Sequence, residues 1–114
     1  MRRYEILTES DAVYEIKETG YIHHEYVIRK IAPKAKAFKE WRKVKMFTFD
    51  EKVLKKHMLD VRSGKKKEDD RYFRRGDIED RGKALKFPEK GCYILFEGGW
   101  TMPVREIDEA RKVA

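Results

Sequence analysis

The sequence predicts an α+β domain: a small antiparallel β-meander of five or six strands, curled into a partly closed barrel and covered by one amphipathic helix, with a long charged loop. Three features predict it. β-Branched and aromatic residues alternate at period two between Arg3 and Ile31. A single stretch, 49–62, carries apolar residues at helical spacing. A run of apolar residues around Gly98-Gly99 has the punctuation of a hairpin.

The first strand places Tyr4, Ile6 and Thr8 on one face and Arg3, Glu5 and Leu7 on the other. Glu9-Ser10-Asp11 is turn-forming, and Val13 to Lys17 reads as the second strand, broken at Thr19-Gly20. A third strand is expected from about Tyr21 to Ile31, ended by Pro33, which has no amide to give a ladder. The links are too short for parallel crossovers, so the pairing is antiparallel. Residues 34–40 read as a turn or short helix and 41–49 as a strand. The helix follows at 49–62, with Thr48 and Glu51 spaced as a capping box and Val53, Leu54, His57, Met58 and Val61 as its apolar stripe. That stripe needs a partner, which puts the helix over the sheet.

Residues 63–90 form the irregular charged segment, with glycines and mixed charge and few anchors. Cys92 to Met102 is the hairpin, with a primed turn at Gly98-Gly99 and Trp100 packed across it. Residues 105–114 are a weak helix or a frayed end.

All of this fits in one domain, 1–114, since a chain of 114 residues is a normal single-domain length. Charged residues make up 43%, yet six Phe, six Tyr and two Trp give the chain material for a core that a disordered polyelectrolyte lacks. No apolar run is long enough to cross a bilayer, and the opening MRRYEILTESD lacks the apolar block of a signal peptide. A cytoplasmic, non-secreted protein is therefore expected. The single Cys92 rules out an internal disulfide.

The charge is unevenly placed. The net charge is +7, and residues 33–49 hold six cations against Glu40 alone. Such a segment draws phosphates or acidic protein surfaces. Lys34, Lys36, Lys39, Arg42, Lys43 and Lys45 are interleaved with Phe38, Trp41 and Phe47, a pattern that suits backbone neutralisation with base stacking. A second group lies in the charged segment. There Lys65, Lys66 and Lys67 precede Arg71, Tyr72, Phe73, Arg74 and Arg75, the arginines suited to phosphate forks and the rings to stacking. Nucleic acid is the expected partner, with DNA and RNA both open. The alternative is a protein-interaction module, such as a viral or mobile-element regulator or inhibitor, that turns the same face on an acidic protein.

Catalytic signals are sparse. Glu15-Ile16-Lys17 resembles the E-x-K half of the PD-(D/E)xK nuclease motif, which implies a third reading as a metal-dependent nuclease. The motif's upstream Pro-Asp and helical framework are missing. His23 and Glu25 share a strand face, but two ligands are fewer than a catalytic zinc takes. Arg75-Gly76-Asp77 resembles the tripeptide of integrin ligands, a match short enough to arise by chance. Cys92 opens an apolar strand as a buried structural thiol. No cofactor is implied, and the expectation is a non-catalytic domain.

Overall fold

The computed structural model describes residues 2–19, 25–62 and 84–110. The elements in chain order are β1 (Arg3–Thr8), β2 (Val13–Glu18), β3 (Tyr26–Ala32), a 3-10 turn (Lys34–Lys36), β4 (Phe38–Thr48), α1 (Glu51–Arg62), β5 (Ala84–Leu85), β6 (Tyr93–Phe96), β7 (Gly99–Trp100) and β8 (Val104–Ala110). Every pairing is antiparallel, in the order β7-β6-β4-β3-β2-β1-β8, with β5 beside β4.

The two ends of this path are consecutive in the chain. Thr101 N donates to Ile94 O at 2.9 Å and Val104 N to Cys92 O at 2.9 Å, so the chain stays paired to β6 past β7 before it joins β1 as β8. The sheet is thereby curled into a half-barrel.

Alternation fills its inner side. Tyr4 and Ile6, Tyr14 and Ile16, Tyr26 and Ile28, Ile94 and Phe96 each lie two residues apart and all are buried. Tyr14, Phe38 and Phe96 form a ring cluster with centroids 5.6 to 6.5 Å apart, and Tyr26 meets Phe47 edge-on at 5.1 Å.

This overturns the α+β class. The molecule is mainly antiparallel β, and the helix does not cover the barrel. Met46 pairs with Leu95 on the outer side of β4 and β6, and Val53 and Leu54 of α1 pack on those two residues with Tyr93. The physical reason is that the aromatic side chains of the strands fill the inner side themselves, leaving only a small outer patch for the helix.

Several local expectations are corrected too. The helix is capped by Asp50, whose Oδ1 accepts from Lys52 N at 2.9 Å, while Thr48 Oγ1 accepts from Asp50 N at 3.0 Å. Thr48 is buried at a strand end two residues before that cap, so Thr48 and Glu51 do not form a capping box. Residues 105–110 form strand, not helix, because Ile107 falls inward opposite Ile6. The strand expected near 41–49 starts earlier, at Phe38. The start of the third strand expected from Tyr21 lies outside the described residues.

The hairpin is present, but Phe96 pairs with Gly99, so its loop is Glu97-Gly98. Only Gly98 has positive φ, +93°, which fits an unprimed type II turn. A Cβ on Gly98 would also stand 3.1 Å from Arg42 Nη1. Gly98→Ala is expected to lower stability by about 1–2 kcal/mol through the strained φ, read from the urea midpoint; no loss would mean the turn relaxes freely.

Candidate nucleic-acid interface

The basic stretch 34–45 is not one surface. Lys34 and Lys36 sit exposed on the 3-10 turn, and Lys39 is exposed at the start of β4. Ile28 pairs with Arg42 and Lys30 with Phe38, so Lys39, Glu40 and Trp41 stand opposite Arg29 alone. This bulge re-aims the side chains around it. Phe38 joins the inner core, and the Arg42 guanidinium lies over the Phe38 ring at 3.9 Å. Trp41 is sent to the outer face, and Lys43 follows it there, opposite Val27. Lys45 sits at a second irregularity of β4, half-buried.

Trp41 is half-buried and already carries cations: Lys17 Nζ is 4.3 Å and the Arg29 guanidinium carbon 4.5 Å from its ring centroid. Arg29 also donates Nε and Nη2 to one oxygen of Glu15, at 2.9 and 2.7 Å. Lys30 lies 5.5 Å over Tyr14.

Register builds a pattern that the run 34–45 does not contain. Arg3 pairs with Lys17, Lys17 with Val27 and Val27 with Lys43, which makes a row across β1, β2, β3 and β4 with three cations and no acid. The neighbouring row begins Asp108, Glu5, Glu15 across β8, β1 and β2, and ends at Arg29. Like charges thus face each other directly three times, Arg3 with Lys17, Glu5 with Asp108 and Glu5 with Glu15, an arrangement that costs stability. Among the described residues no carboxylate ion-pairs with Arg3, Lys17, Lys34, Lys36, Lys39, Arg42 or Lys43.

Sequence reading missed Arg3 and Arg29 and named Lys17 only for the nuclease pair. Period-two alternation puts Lys17 and Glu15 on one face, but only register shows which residues flank them. Lys65, Lys66, Lys67, Arg71, Tyr72, Phe73, Arg74 and Arg75 lie outside the described residues, as do the Arg75-Gly76-Asp77 tripeptide, His23 and His24.

The other chemistry-bearing groups are engaged or isolated. Glu15 is held by Arg29 and Lys17 stands on Trp41, so the E-x-K pair serves two other contacts. Among the described residues no three His, Cys, Asp or Glu side chains are grouped to hold a metal. Cys92 is fully buried, and that burial pushes its thiol up to about 11. Trp100 pairs with Leu95 on the outer side yet stays 41% exposed, so it does not pack away as expected.

Fold and site together define a class: a mainly antiparallel β half-barrel whose outer face separates cations from acids. No protein family, curated protein or solved structure matches the chain. No described helix is long and apolar enough to cross a membrane.

Proposed function

We propose that this chain is a small basic nucleic-acid-binding domain that contacts phosphates and performs no chemistry of its own. The observation that supports it is the set of cations on β4 and the 3-10 turn that ion-pair with no carboxylate among the described residues. Lys34, Lys36, Lys39 and Lys43 are the phosphate contacts, and an intracellular, cytoplasmic setting goes with such a ligand.

The test is a salt-series titration of labelled oligonucleotides, with and without Mg²⁺. These four contacts give a log–log slope on duplex DNA of about −3.6 at about 0.9 per phosphate neutralised, and any further contact makes it steeper. A flat salt dependence, or no binding at low salt, overturns the reading.

A second reading has its own support. Trp100 and Met102 are exposed at 41% and 47%, which suits an anchor for an acidic protein partner. That module would leave oligonucleotides unbound and retain one protein in a pull-down. Cleavage with Mg²⁺ that stops on Glu15→Gln would instead restore the nuclease.

A further inference from the structure

We infer that the row Arg3–Lys17–Lys43 is a track for the backbone of a double-stranded nucleic acid, running across the strands of the outer face. This rests on the proposed function and names its ligand class.

Direction comes from register. Three strand spacings separate Arg3 from Lys43, roughly 14 Å at about 4.8 Å each. Successive phosphates along one duplex strand lie roughly 7 Å apart through space, so that span faces about three of them, one for each cation of the row. Val27 is the only uncharged member of the row, and no acid interrupts it. The acids stand one row away, roughly 7 Å along the strands. They border the track on one side and discourage a ligand from lying across them.

The ligand class comes from the aromatic rings. Binding of single strands uses open π-faces on which bases stack. Here the ring beside the row is covered by cations of the protein itself: Lys17 and Arg29 both lie over Trp41. A base stacking on Trp41 has two cations of the protein to compete with. A duplex, whose bases are already stacked, asks only for the charges. The cation–π contacts also hold Lys17 and Arg29 upright, so less side-chain freedom is lost when phosphate arrives.

The like-charge pair Arg3–Lys17 gains meaning in this light. The two cations face each other directly with no acid between them, a repulsion that a phosphate lying on the row offsets.

Short duplex DNA, duplex RNA of the same sequence and each separated strand are titrated against the full chain over a salt series. Both duplexes are expected to bind at least about tenfold tighter than the strands at moderate salt, given the higher charge density of a duplex. Their relative affinities separate DNA from RNA by groove geometry. Arg3→Gln and Lys17→Gln should each reduce the slope on the preferred duplex by about 0.9, and Lys17→Arg should restore it. Thermal melts of each variant separate lost contact from lost fold. Tighter binding of single strands, abolished by Trp41→Leu, overturns the track while leaving a nucleic-acid-binding domain. An unchanged slope in both glutamine variants also overturns it, the ligand then lying elsewhere on the chain. Failure of every oligonucleotide to bind removes the proposed function as well.

Discussion

Raising the pH from about 9 to about 11 is expected to remove about 2 kcal/mol of stability through Cys92 alone. The thiol is fully buried, and the desolvation of its thiolate lifts the folded-state value from 9.0 to about 11. Below the unfolded value both states keep the proton, and the contribution is complete. Between the two values the unfolded chain has lost its proton while the folded chain retains it, so stability falls with rising pH. Two units at about 1.4 kcal/mol each set a limit of about 3 kcal/mol, of which about 2 falls between about pH 9 and about pH 11 because each value marks half-titration. Burial raises the Tyr14 and Tyr26 hydroxyls as well, which extends the loss in the same direction. A domain this size has only about 5–15 kcal/mol to lose. Urea midpoints at about pH 8 and about pH 11 measure it. Cys92→Ala should flatten the first part of the decline and leave the tyrosine part. An equal decline in both proteins would show that the thiol is not the group responsible.

Reversing two charges on β4, Lys39→Glu with Lys43→Glu, is expected to weaken oligonucleotide binding by at least about a hundredfold. Each lysine offers a charge-assisted contact worth about 1.5–3 kcal/mol, and each glutamate repels in addition. The loss should be the same for unrelated sequences, because phosphates carry no sequence information. Both side chains are exposed and neither has a carboxylate partner among the described residues, so the fold should tolerate the change. Lys45 is a poorer choice because it is half-buried at an irregularity of the strand and engaged in interactions of its own. Binding unaffected by the double reversal would move the site away from β4.

Legibility differed by element for physical reasons. Tyr4/Ile6 and Tyr14/Ile16 could be paired with faces from sequence, since a strand's side-chain period is fixed by its pleat. Thr48 could not be told from a helix cap, because a hydroxyl three residues before a glutamate suits both a capping box and a strand end. Residues 105–110 carry four charges and two apolar groups, and only the docking of Ile107 opposite Ile6 makes them a strand. The bulge that turns Trp41 outward and Arg42 inward has no local signature at all. It arises where β4 must satisfy Ile28 on one side and the Phe38 cluster on the other.

By itself, the sequence determined that the chain is rich in strand, that one stretch after Thr48 is helical, and that positive charge collects near β4. These are properties of neighbours along the chain: pleat, helical period and local composition. Which cations face phosphate together, which rings they cover and where the helix rests were decided only by tertiary structure. Arg3 and Lys43 lie four strands' worth of sequence apart, and only the register of β1 through β4 places them in one row.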